Sequence, residues 1–354
     1  MENEKKKNKW LIPVVIILGI GVLVGGVFAV KSLLGGKEEP KQEEKKEEKK
    51  EEPAKPKVKI IDLDSNTRPY AIMINCKSEA LPQAGVQDAY LVYELMVEGG
   101  ITRMMALFKD KELTKVGSVR SSRNQYLAYV LENDAIYAHA GGSPESQKRI
   151  RDEKIEDIDV DGQYGVRDKS LKRDWEHVLF TNSTLLAKGA KNKGLRVTSD
   201  KKPVLTYSAE EVDLSKYKTE EASKVSIKYS NYRTSIYEYD KEAKNYLRFM
   251  NKAKNTDLVT GEQYRVKNIL VYGVKYTGYT SYGNPSYVRP ANIGKGEGYY
   301  ITDGVALPIT WEKKDEKSQT VYKVKETGDD LVVNDGNTYI QIYPTNGGKL
   351  TIEK

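Results

Sequence analysis

The 354-residue chain has one cysteine and two histidines. One cysteine permits no intramolecular disulfide. With two histidines it cannot complete an ordinary four-ligand His/Cys zinc site, so no metal is expected. No Walker or dinucleotide glycine pattern stands in a matching strand–turn–helix context, and no cofactor is expected. The GxSxG nucleophile elbow of α/β-hydrolases is also missing, which leaves little ground for a Ser-His-Asp triad. Charge of one sign is not in strong excess. The formal net charge is +7, of which +4 falls beyond the N-terminal segments, and this argues against a nucleic-acid partner. Phenylalanine is scarce, at four residues against 25 tyrosines, so the aromatic surface of the chain carries hydroxyls. The lone thiol, Cys76, follows the apolar run "YAIMIN". It reads as a small buried hydrophobe rather than as a nucleophile.

Long uncharged apolar runs are missing as well, with one exception. Residues 11–30, "LIPVVIILGIGVLVGGVFAV", carry no charge, and about 20 apolar residues suffice to cross a bilayer as a helix. Lys5, Lys6, Lys7 and Lys9 precede the run, which places the N-terminus in the cytoplasm and the rest outside. A cleaved signal peptide is the rival reading, because "VFA" at 27–29 offers small residues to a peptidase. The length of the run favours an uncleaved anchor. No cysteine adjoins it as a lipid acceptor. Gly21 and Gly25 form a GxxxG pair, read here as ordinary membrane-helix composition. Residues 37–57, "KEEPKQEEKKEEKKEEPAKPK", hold eight Lys and eight Glu and one Ala. They cannot bury a core, and like charges at i,i+4 oppose a helix. The expected organisation is therefore a cytoplasmic tail (1–10), a transmembrane helix (11–30), a disordered charged linker (31–57), an α/β domain with a mixed sheet and flanking helices (58–200) and a β-rich domain (201–354).

The two extracytoplasmic parts differ in pattern. In the first, apolar runs such as "YAIMIN" and "AIYAHA" alternate with helix starts, which argues for α/β. In the second, short alternating runs dominate ("KVSIKYS", "SIYEYD", "YLRFM", "YIQIYP"), punctuated by Gly, Asn and Asp. Eighteen of the 25 tyrosines lie there.

Three stretches carry candidate chemistry. "YELMVEGGITRMMALF", residues 93–108, reads as two strands joined at Gly99-Gly100 by a two-residue hairpin. That register sets Met96 opposite Arg103 and puts Glu94, Glu98 and Arg103 on one face. The carboxylates would stand about 13 Å apart along the strand. Paired glycosidase carboxylates stand about 5–9.5 Å apart, so these two cannot serve one bond from this strand alone. The charges either satisfy one another in a buried cluster or leave one carboxylate facing a cleft. In "VGSVRSSRNQY", Arg120 and Arg123 flank Ser121 and Ser122, one of which is the expected helix N-cap. Two guanidiniums at a helix start suit an anion; the alternative is arginines bridging to Glu94 or Asp88. In "IYAHAGGSPES", His139 ends a strand and Ser143 precedes Pro144, the signature of a capped helix. His139 is a candidate general base, and Ser143 a candidate nucleophile that reads first as a cap. His177 in "DWEHVLF" reads as a surface or packing residue. The tyrosine row in "VKYTGYTSYGNPSYVRP" suits stacking on sugars, or simply a β surface.

These stretches together resemble the YerB-like family of bacterial envelope proteins. The family pattern RP-x-A-v-M-i-N-N, P-Q-x-G-l, A-D-i-v-y-E, E-G-G-i-T-R, G-P-v-R-S-a-R and h-a-G-g-S lands on Arg68, Pro69, Asn75, Gln83, Gly85, Glu94, Glu98 to Arg103, Arg120, Ser121, Arg123, His139 and Ser143. "YEYDKEAKNYLRFMNKAKNTDLVTGEQYRVKNILVY" and "GKGEGYYITDGVALPITWEK" resemble its second domain. Cys76 replaces an Asn of the pattern, and Ser118 replaces a Pro. The resemblance implies a membrane-associated envelope protein and adds Asn75, Ser121 and Ser143 to the binding candidates. The functional expectation is a wall-facing module that engages peptidoglycan or a related anionic wall polymer, lined by Glu94, Glu98, Arg103, Arg120 and Arg123. Acid–base cleavage by Glu94, Glu98 or His139 is one form of it. The alternative is a non-catalytic scaffold that recruits an envelope protein through the β-rich domain.

Overall fold

The computed structural model describes residues 56–354 apart from Tyr282. The expected tail, the membrane helix at 11–30 and nearly all of the linker lie outside the described residues. Among the described residues no helix is long and apolar enough to cross a membrane.

The chain is strand-rich with few helices. Its main strands are β1 (Tyr70–Asn75), β2 (Leu91–Met96), β3 (Thr102–Phe108), β4 (Ile136–His139), β5 (Asp157–Asp159), β6 (Lys224–Lys228), β7 (Thr234–Asp240), β8 (Asn245–Met250), β9 (Asn268–Val274), β10 (Tyr276–Ser281), β11 (Asn284–Pro290), β12 (Gly294–Thr302), β13 (Val305–Lys313), β14 (Thr338–Pro344) and β15 (Lys349–Glu353). The helices are α1 (Asn124–Glu132), α2 (Pro144–Asp152) and α3 (Ser183–Lys193). An 11-stranded mixed sheet runs β13-β12-β9-β14-β2-β3-β1-β4-β5, with Glu220–Glu221 and Val321–Val324 pairing on β13. A six-stranded antiparallel sheet is built on β8-β7-β6-β15. β10 and β11 pair only with each other, as a separate hairpin.

The sequence explains which faces are covered. β1, β2 and β3 are apolar on both faces, as strands packed on both sides are. Their odd-numbered residues (Ala71, Met73, Tyr93, Leu95, Met105, Leu107) join a core with Tyr126, Leu127 and Val130 of α1. The even-numbered ones (Ile72, Ile74, Val92, Met104, Ala106) join a core with Val225, Ile227, Tyr237 and Tyr246 of the smaller sheet. The parity of a residue therefore states which layer it meets. β14 comes from the end of the chain and lies parallel between β2 and β9, so one sheet runs through both halves.

Candidate functional site

The turn between β2 and β3 is longer than the sequence pattern suggests. The Val97 amide donates to the Ile101 carbonyl (2.8 Å), and Glu98–Gly100 form a single 3-10 turn with Gly99 and Gly100 at φ +69° and +72°. Leu95 stands opposite Arg103, and Met96 opposite Thr102. This is one residue away from the expected register, and a one-residue slip exchanges the faces of a strand. Glu94 and Arg103 consequently point to opposite sides of the sheet, and the expected single-face cluster of Glu94, Glu98 and Arg103 does not form.

Glu94 turns toward the smaller sheet. Its Oε2 lies 2.8 Å from Arg248 Nη2, with both side chains 0% exposed. Ser235 Oγ donates at 3.1 Å and Thr102 Oγ1 at 2.7 Å. With its oxygens filled and no access to water, Glu94 holds the two sheets together and does not face a cleft. Arg248 is 154 positions away, a pairing no local pattern reports. A faint signal exists: Arg248 sits between Tyr246 and Met250 at an inward position of an alternating run. A guanidinium there needs a carboxylate.

Arg103 turns the other way, toward α1, and meets Arg123 and Glu98. Its side chain is 3% exposed. Nη1 donates to the Ser121 carbonyl, and Nη2 lies 3.3 Å from Glu98 Oε1. The buried Nε has no partner. Arg123 grips Glu98 side-on: Nε is 2.7 Å from Oε2, and Nη2 reaches Oε1. Arg120, on the same segment, pairs with Glu176 (2.6 Å), which Lys77 also approaches at 3.4 Å. Burial pushes the Arg103 guanidinium down to about 10, and the charges of Arg123 and Arg120 add to the effect. Burial works to raise the Glu98 carboxyl, but the Arg123 hydrogen bond and the two guanidiniums outweigh it and hold it below the ordinary carboxylate value. Glu98 is therefore ionised and engaged, which does not suit a general acid.

The cluster lies at the carboxyl ends of parallel strands β1 and β4, where α/β folds bind ligands. Asn75, the last residue of β1, stands opposite Arg103. It ties together the loops around the strand end. Its Nδ2 lies 2.9 Å from His177 Nδ1, its Oδ1 accepts from the Lys77 amide at 3.1 Å, and its carbonyl accepts from Gln83 at 2.7 Å. His177 is buried here, and burial lowers its pKa below the usual histidine value.

The remaining candidates have structural duties. His139 ends β4, with Nδ1 2.8 Å from the Gly141 carbonyl and Nε2 3.1 Å from Asp157. Both ring nitrogens face protein atoms and the side chain is 3% exposed, so neither nitrogen is presented to a substrate. Ser143 caps α2, its Oγ accepting from the Ser146 amide at 3.3 Å. Its hydroxyl serves the helix start and lies buried. Neither Ser121 nor Ser122 caps α1. Arg123 holds the N-cap position in extended backbone, and its side chain goes to Glu98 instead. Ser121 contributes its carbonyl to Arg103. Burial, followed by the charge of Glu94, raises the Cys76 thiol to about 11, which excludes a ready thiolate.

Two aromatic rings border the cluster: Tyr287, from the tyrosine row already marked in the sequence, and Tyr232, which did not stand out there. Tyr232, in the turn between β6 and β7, packs at Gly100, where an added Cβ would lie 3.3 Å from its ring. Tyr287 of β11 lies 6.0 Å from the Arg123 guanidinium carbon. It stacks on Tyr279 (5.7 Å), which Arg289 covers at 4.8 Å.

Residues 58–196 match the family described as Protein of unknown function (DUF3048) N-terminal domain, and residues 225–340 match its C-terminal domain. The chain is 27% identical over 284 residues to the protein described as "Putative lipoprotein YerB" from Bacillus subtilis (strain 168), across 78% of this chain and 81% of that one. A crystal structure of YerB protein from Bacillus subtilis matches with a TM-score of 0.69 at 26% identity, covering 80% of this chain and 94% of that chain. Two family domains in order, with one fold shared along most of both chains, establish that this protein belongs to the YerB-like (DUF3048) family.

Proposed function

We propose that this is a membrane-anchored, extracytoplasmic protein that binds an anionic cell-wall glycan at the Arg103–Arg120–Arg123 cluster, without cleaving it. One observation carries the reading. Three guanidiniums converge at the carboxyl ends of β1 and β4, and the deepest, Arg103, is buried with its Nε unpartnered. An arriving anion lowers the cost of that crowded positive charge. Envelope location is supported by the lysine-flanked apolar run at 11–30 and by the relative named as a lipoprotein. A binding role is favoured over catalysis because Glu94, Glu98 and His139 each spend their reactive atoms on protein partners.

The test is incubation of the full-length protein in detergent with purified cell-wall sacculi, followed by sedimentation and mass spectrometry of the supernatant. Co-sedimentation that Arg123→Ala abolishes, with no released fragments, is the expected result. Fragments that disappear with Glu98→Gln would make the protein an enzyme. Absence of both binding and fragments would overturn the reading and favour a scaffold that recruits another envelope protein.

A further inference from the structure

We infer that Glu98 is a built-in occupant of the arginine fork, and that the ligand is an acidic sugar whose carboxylate displaces Glu98 while its ring lies against Tyr232. This rests on the glycan-binding reading above and specifies its ligand and its mechanism.

The fork is already set for a carboxylate. Arg123 meets both Glu98 oxygens side-on through Nε and Nη2, the planar arrangement that guanidinium forms with carboxylate. Glu98 does not fill the donors present, because its contact to Arg103 Nη2 is a long 3.3 Å and Arg103 Nε has none. The two sides of the pair also differ in freedom. Arg103 is 3% exposed and is held under the sheet end, whereas Glu98 is 21% exposed. Glu98 sits on a turn that continues through Gly99, beside which lies open space. The carboxylate can swing to water; the buried guanidinium cannot. Exchange of one carboxylate for another leaves the charge of the cluster unchanged, so no buried arginine is stranded during the swap.

The same turn is flanked by an exposed ring. Tyr232 is 74% exposed, in a chain that buries most of its described tyrosines. Ser230 Oγ donates to the Gly100 carbonyl (2.5 Å) and fixes that tyrosine turn against Glu98–Gly100. A bare tyrosine face supplies rigid amphipathic contact area at small entropic cost. It flanks Gly100, two residues along the turn from the Glu98 that closes the fork, and so suits a ring with an apolar C–H face that carries its acid substituent on an extended arm.

N-acetylmuramic acid and N-acetylglucosamine provide a matched pair of probes, because they share the ring and differ by a lactyl carboxylate. Binding to the full-length protein would be measured calorimetrically, with adenosine monophosphate as the phosphate-bearing arm. N-acetylmuramic acid is expected to bind about tenfold or more tightly than N-acetylglucosamine, a difference of about 1.4 kcal/mol. Glu98→Gln should tighten it, Tyr232→Ala should weaken both sugars, and Arg123→Ala should abolish binding. Tyr232 is at the surface, so its variant keeps the test valid if Glu98→Gln perturbs folding. If Arg123→Ala abolishes binding but Glu98→Gln leaves it unchanged or weaker, the anion site stands and displacement is overturned. Equal affinity for the two sugars, or tighter binding of the nucleotide, overturns the acidic sugar. If neither probes nor sacculi bind, the proposal falls together with the glycan reading.

Discussion

Arg248 and Glu94 illustrate how a charge can be placed where water is absent. Each is fully buried, and the pair is completed by Ser235 and Thr102. Removing one partner strands the other, at a cost of about 3–5 kcal/mol, whereas replacing both by apolar groups of similar volume is close to neutral. Arg248→Met alone should therefore lower the urea midpoint sharply, and Glu94→Leu added to it should recover much of the loss. Simple additivity of the two losses would show that the pair is not coupled. His177 gives a pH dependence. Its folded-state pKa is depressed by burial, so just below the ordinary value of about 6.5 the unfolded chain binds more protons than the folded one. Its contribution to stability is full above about pH 6.5 and is lost as pH falls toward the folded value. Urea titrations across this range should slope upward with pH, and His177→Asn should flatten the slope. An unchanged slope in that variant would assign the dependence to other groups.

The β2–β3 connection shows how one residue of turn length redirects a site. Both strands were legible as continuous apolar runs, and α2 as a cap followed by proline. The turn was not, because two adjacent glycines suit a two-residue hairpin and a longer 3-10 turn equally well by conformational freedom. The contacts that choose between them come from Ser230 and Tyr232, 130 or more positions away. These contacts also separate the two glycines by experiment. Both have positive φ, which costs a residue with a Cβ about 1–2 kcal/mol. Gly99 has open space around it, whereas a Cβ at Gly100 would meet Ser230 Oγ at 3.1 Å and Cβ at 3.2 Å. Gly100→Ala should be the more destabilising in chemical denaturation, and it should weaken binding at the fork because it pushes the turn off its anchor. Equal losses at both positions would show that Ser230 and Tyr232 yield without cost.

The protein folds as a strand-rich body whose halves share charges and a sheet. β14 completes the sheet between β2 and β9, and two buried ion pairs, Glu94–Arg248 and Glu132–Lys313, each join the first half to the second. A fragment ending at residue 200 loses β14 and leaves both glutamates without their cations, so its far-UV circular dichroism should show little native structure. The full chain should unfold in one transition seen alike by tyrosine fluorescence and circular dichroism. Two separated transitions would refute this coupling. The strands of the first half, the alternating strands of the second, the capped α2 and the buried thiol were readable from local pattern, because strand alternation and caps depend on neighbours one to four positions apart; the family came from the resemblance of whole motifs. The arginine-rich segment stood out by its spacing, but the serine cap expected beside it did not form, because Arg123 holds that position. Which carboxylate meets which arginine was not readable. Glu94 took a partner from β8 and Glu98 took Arg123, because strand register and the stacking of layers choose partners by distance in space, and spacing along the chain carries no term for that distance.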